Sequence, residues 1–160
     1  MLIPWYVWVT ALILIVGGAL ASSSLILAKK PNARDLLMKV APYQGSIGVL
    51  MFVWGIYDLI VNFLLSLGDF GVVFQGPIFW KLFGIFAIVG YLCELLVGFL
   101  LGFGMINAFA AKKSPAAAQK AEAAMKKLAP WQSILGIIAI IAGIYWLLFA
   151  LFLWKIGLGV

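Results

Sequence analysis

The sequence predicts an all-α integral membrane protein whose four transmembrane helices form two tandem helical hairpins, a parallel internal repeat. Three observations predict it. Hydrophobic residues make up 66% of the chain and charged residues 10%, and the mean hydropathy is +1.19, which leaves too little polar surface for a water-soluble domain. Four apolar stretches, about 2–28, 42–67, 77–110 and 130–156, reach the roughly 20 residues needed to cross a hydrocarbon core about 30 Å thick. Residues 41–60 and 129–148 match at a fixed offset of 88, with Ala41/Ala129, Pro42/Pro130, Gln44/Gln132, Gly48/Gly136, Gly55/Gly143, Ile56/Ile144, Tyr57/Tyr145 and Leu59/Leu147 identical.

The whole chain, 1–160, is then a single membrane domain, with one hairpin over about 1–68 and the other over about 77–160. Lys and Arg beside helix ends stay on the cytoplasmic side. Nine of the eleven cations lie in two loops, Lys29, Lys30, Arg34 and Lys39 in the first and Lys112, Lys113, Lys120, Lys126 and Lys127 in the second. Both basic loops are therefore expected in the cytoplasm, with the N-terminus, the C-terminus and the 68–76 connection outside a bacterial-type inner membrane. Met1 is followed by no cationic region and the apolar run outlasts a leader's core, so the first span reads as a retained anchor. Two hairpins of one orientation imply a pseudo-twofold axis along the membrane normal.

Each basic loop also reads as a short helix. Asn32 with Asp35 three residues on, and Ser114 followed by Pro115, are N-terminal capping patterns. Ala-Pro then ends or bends each helix, because proline lacks the backbone donor and crowds the preceding turn. Pro42, Tyr43 and Gln44, matched by Pro130, Trp131 and Gln132, mark where the second and fourth spans enter the membrane, with the aromatic ring at headgroup depth. Gln44 and Gln132 are placed to cap freed backbone groups or to face each other across the pseudo-axis. Trp5, Trp8, Trp80 and Trp154 form an outer aromatic belt beside Lys81 and Lys155, whereas Trp54 and Trp146 lie deeper.

Small residues form seams at helical spacing. The second span carries Gly48, Met51, Gly55, Asp58 and Asn62 on one face, the third Ala87, Tyr91, Glu94, Gly98 and Gly102, and the fourth Gly136, Ala139, Gly143, Trp146 and Ala150. The repeat keeps the small residues and drops the acid and the amide. Asp58 and Glu94 therefore stand out, since ionisable groups inside a bilayer are costly and face protein or water. Asp58 lies about 24 Å from the start of its helix at Pro42, and Glu94 about 25 Å from the end of its own at Ala111. Facing each other at one depth, they form a candidate ion or proton site with Asn62, because adjacent carboxyls do not both ionise cheaply. The bland reading is that each is protonated glue, bonded to Tyr57, Tyr91, Asn62 or a carbonyl.

Two resemblances arise from these residues. Tyr57-Asp58 and Ser66-Leu67-Gly68-Asp69 resemble the motifs of presenilin-type intramembrane aspartyl proteases, but Asp69 follows Asp58 by 11 residues, about 16 Å along one helix, too far to share a proton unless the helix breaks. Ala28-Lys29-Lys30-Pro31 and Gly55-Ile56-Tyr57-Asp58 resemble the proteolipid subunits of rotary ATPases in topology, which implies duplicated hairpins, a membrane carboxylate and a homo-oligomeric ring. The first span departs from that family in lacking its sustained glycine repeat.

Other chemistries fail on inventory. The chain has no His and a single cysteine, Cys93, which excludes a Ser-His-Asp triad, a histidine or cysteine metal centre and an internal disulfide. No cofactor is expected. The formal charge of +6 sits beside the membrane and suits anionic lipid, not nucleic acid. The expected function is a non-enzymatic polytopic subunit or scaffold that uses Gly48, Gly55, Gly98, Gly102, Gly136 and Gly143 to assemble into a homo-oligomer or a larger membrane complex. The alternative is a small proton or cation channel or transporter that uses Asp58, Glu94 and Asn62. A lipid-modifying membrane enzyme ranks third.

Overall fold

The computed structural model describes residues 4–29, 32, 34–112 and 114–153. These form α1 (Trp5–Ala21), α2 (Ser23–Lys29), α3 (Arg34–Val40), a 3-10 turn (Ala41–Tyr43), α4 (Gln44–Tyr57), α5 (Leu67–Val73), α6 (Ile78–Ala111) and α7 (Pro115–Leu148). Helix α4 continues as a π-helical segment over Asp58–Leu64, and α7 does so over Phe149–Leu153. There is no strand among the described residues.

Three helices are long and apolar enough to cross a membrane, Gln44–Leu64, Ile78–Met105 and Pro130–Phe152. The expected first span is divided. Its apolar part, α1, has 17 residues, and Ser22 separates it from α2. Hydrogen bonding nevertheless runs through the join, because Ser22 N–H donates to Gly18 O at 2.9 Å and Ile26 N–H to Ser22 O at 3.0 Å. The Ser22 hydroxyl donates to the same Gly18 carbonyl at 2.7 Å, a back-bond that bends helices.

The two Ala-Pro sites behave differently. Helix α3 stops at Val40 and the 3-10 turn carries Pro42, as the sequence implies. At Pro130 the helix neither stops nor restarts, because α7 runs unbroken from Pro115 to Leu148. The segment before Pro130 explains this. It reads PAAAQKAEAAMKKLA, almost wholly strong helix formers, with Glu122 and Lys126 paired at 3.5 Å. The seven residues of α3 offer no such reserve.

Helix α4 packs along α6 and α1 along α7, α6 and α7 pack together, and α1 meets α6 and α4 less extensively. Glycine sets the close approaches, as helices without a hydrophobic drive between them require. A Cβ on Gly98 would lie 2.5 Å from Phe52 N, and one on Gly55 2.8 Å from Glu94 Cβ. Gly48 meets the backbone of Leu101 and Gly102. On the other side of the bundle, a Cβ on Gly136 would lie 2.7 Å from Gly18 O and one on Gly143 3.0 Å from Ala11 O.

Two buried clusters result. The one nearer the basic loops contains Leu14, Met51, Val97, Leu101 and Ala139. The one nearer α5 contains Val7, Ala11, Ala87, Tyr91, Trp146 and Ala150. The acidic pair lies between them in sequence register.

Candidate functional site

Asp58 and Glu94 are both 0% exposed. Their meeting follows from the α4–α6 crossing at Gly55, which brings the two backbones together at Glu94. One turn further along α4, the Asp58 carboxyl acts electrostatically on that of Glu94. The facing arrangement expected from equal depth is therefore present. Asp58 also opens the π-helical segment, a local unwinding often found at functional sites.

The two carboxyls are served unequally. The Thr10 hydroxyl donates to Asp58 Oδ2 at 2.7 Å and Asn62 Nδ2 donates to Oδ1 at 2.6 Å. Trp54 Nε1 donates to Thr10 Oγ1 at 3.0 Å, so a chain of two donors, from α4 through α1, ends on Asp58 beside the separate Asn62 donor. Glu94 receives no such donor: its two carboxyl oxygens are buried, and the group they meet is the Asp58 carboxyl. Around the pair stand two phenols. Asp58 acts electrostatically on half-buried Tyr6, and both acids act on buried Tyr91, whose ring meets Trp146 edge-on at 5.8 Å.

Sequence reasoning singled out Asp58, Glu94 and Asn62, which converge here. It missed Thr10 and Tyr6, and left Trp54 open. Thr10 was findable, since it is the one hydroxyl-bearing aliphatic residue in WYVWVTALILIVGGALA and a lone hydroxyl in an apolar helix calls for a partner. Tyr57, proposed as a partner for the acids, is 38% exposed and packs its ring 5.3 Å from Trp54 instead. The chain turns at Leu65 and Ser66 before α5, which carries Asp69 in its backbone; Asp58 couples to Glu94.

The six seam glycines, Gly48, Gly55, Gly98, Gly102, Gly136 and Gly143, are all buried against this chain's own helices. The expected headgroup-level rings are on the surface, Tyr43 at 64% and Trp131 at 61% exposure, and Pro42 and Pro130 are exposed beside them. Trp154 and Lys155 lie outside the described residues.

Gln44 and Gln132 are brought together. They line one cleft of about 450 Å³, walled by Ser46, Leu100, Leu101 and Met105. No group of three metal-ligating side chains occurs among the described residues, and Cys93 is buried as a free thiol.

The arrangement holds two acids in a buried interior, one receiving donors from Thr10 and Asn62 and the other meeting only its partner acid, in a chain for which no family model, no curated protein and no solved structure gives a match.

Proposed function

We propose that this chain is a small proton-conducting or proton-coupled transport protein of the membrane, and that Asp58 and Glu94 are its proton-binding pair. The observation that carries this reading is the wholly buried pair of carboxyls, in which Glu94 has no donor of its own and meets only the other acid. An ionised carboxylate with no donor in an apolar interior is untenable. Glu94 therefore holds a proton in this state, and the remaining negative charge rests on Asp58, where Thr10 and Asn62 donate to it.

A proton suits the site better than a metal cation. Calcium takes six to eight oxygen ligands and magnesium demands a near-octahedral set. Here Thr10 and Asn62 turn donors, not lone pairs, towards Asp58. A bound cation would have to displace both.

The assembly role that the sequence ranks first draws less support, because its six glycines are spent within the chain. A homo-oligomer, if formed, uses other surfaces. We read α1 with α2 as the fourth crossing, both basic loops as cytoplasmic with anionic lipid around them, and the two halves as pseudo-equivalent. Two features support the last point. Gly48 and Gly55 pack on α6 while their counterparts Gly136 and Gly143 pack on α1, and the π-helical segments at 58–64 and 149–153 overlap at the offset of 88.

Proteoliposomes under an imposed potential and pH gradient test the reading. Wild type is expected to carry protons, and Asp58→Asn and Glu94→Gln each to reduce the flux at least tenfold at equal insertion. No flux in wild type, or equal flux in all three, ends the proposal.

A further inference from the structure

The proton pair needs a route to water, and its two sides differ. Towards α5, the neighbours of Asp58 are polar and half-buried, Asn62 and Tyr6. Towards the basic loops the principal helices close a buried apolar cluster, in which Leu14 from α1, Met51 from α4, Val97 from α6 and Ala139 from α7 are each no more than 1% exposed. Beyond that layer lies the cleft between Gln44 and Gln132, whose wall includes Leu101. Leu101 follows Glu94 by seven residues, about 10 Å along α6.

From this we infer that the cleft is the water-filled mouth through which the Asp58–Glu94 pair exchanges protons with the basic-loop side, and that the layer of Leu14, Met51, Val97 and Ala139 is its gate, shut in this structure. The inference rests on the proton reading above. At about 450 Å³ the cleft has room for roughly 15 waters of about 30 Å³ each. Its amide and hydroxyl groups, from Gln44, Gln132 and Ser46, give those waters partners.

The layer is apolar and buried, and a constriction of this kind stops water and ions by staying dry. Met51 is the member built to move. Its unbranched thioether lies against Gly17, where α1 presents no Cβ, and methionine changes rotamer more readily than branched residues. Swinging it aside would join the cleft to the carboxyls without separating the glycine contacts that hold α4 on α6.

Single-cysteine variants in a Cys93→Ala background test this with a membrane-impermeant cationic methanethiosulfonate applied to both faces of the membrane. Gln132→Cys and Ser46→Cys are expected to react, and Val97→Cys to stay at least tenfold slower. Modified Gln132→Cys should then lose at least fivefold of the wild-type proton flux, a readout that leaves the core untouched. Met51→Ser should raise flux about tenfold, and Met51→Ser/Glu94→Gln should not conduct. If flux needs Glu94 but Gln132→Cys is inert, or its modification leaves flux unchanged, the mouth lies elsewhere while the proton pair stands. If Val97→Cys reacts as fast as Gln132→Cys, the gate is wrong. A reactive cleft with no Glu94-dependent flux in any chain overturns the proton reading and this inference with it.

Discussion

Asp58 and Trp146 stand 88 residues apart at matching positions of the two similar segments, and both are 0% exposed. Around Asp58 the bundle is polar: a hydroxyl, an amide and a second carboxyl converge. Around Trp146 it is filled by rings, with Phe83 at 5.0 Å and Tyr91 at 5.8 Å, and the indole N–H donates to Phe86 O at 3.3 Å. Even the shared tyrosines part company. Tyr57 packs on Trp54, whereas Tyr145 donates to Phe79 O at 2.8 Å. The close backbone contacts are kept in both places and the chemistry is confined to one. A shared helical frame thus lets one crossing gather polar groups while the other is packed with rings.

The sharpest way to break that comparison is to empty the rigid side. Trp146→Ala removes the largest fully buried side chain and is expected to cost about 3–5 kcal/mol in detergent unfolding. Asp58→Asn keeps volume and shape, and should cost less than about 1 kcal/mol while abolishing flux. If the two costs are equal, the division between a rigid and a chemical crossing fails.

The seam glycines come next. Gly98→Ala would drive a methyl into Phe52 backbone and Gly136→Ala one into Gly18 O, each expected to destabilise by about 1–3 kcal/mol. Gly104 has open space around it, so Gly104→Ala is the control and should be neutral or slightly stabilising. Thr10→Val is smaller still. It deletes the donor to Asp58 and the acceptor for Trp54, and hydrogen bonds between membrane helices average about 0.6 kcal/mol with a maximum near 1.7. A loss of about 1 kcal/mol with a larger proportional loss of flux would separate its role at Asp58 from simple packing.

Much of this frame was legible in the residues. Apolar length marks the three long crossings, and helical spacing puts Gly48, Gly55, Asp58 and Asn62 on one side, and Glu94, Gly98 and Gly102 on another. Equal depth suggests that the two acids meet. Spacing does not show which helix a seam packs on. The choice of α6 for Gly48 and of α1 for Gly136 depends on complementary shapes that pairwise spacing does not encode. For Thr10 the lone hydroxyl calls for a partner, but spacing does not show which, since Asp58 comes to it from 48 residues later. The division of the first span at Ser22 hinges on one back-bonded hydroxyl, which hydropathy does not register.

The two Ala-Pro sites offer the smallest and most local test. Pro42 lies in a 3-10 turn that separates α3 from α4, while Pro130 lies inside α7, so one sequence motif meets two backbones. At Pro130 the missing N–H leaves the Lys126 carbonyl without its usual donor, yet the helix formers before it hold the turn. Pro130→Ala should therefore restore one bond and add helix stability, a gain of no more than about 1 kcal/mol, with no change in helix boundaries. Pro42→Ala removes the stop itself, so helical hydrogen bonding is expected to spread across 41–43 and join α3 to α4. Amide hydrogen exchange reads both: increased protection around Lys126 to Pro130 in the first variant, and new protection across Ala41 to Gly45 in the second. If Pro42→Ala leaves 41–43 as unprotected as before, the break belongs to the short, weakly helical α3 and not to the proline. Local propensity alone would then account for the contrast between the two sites.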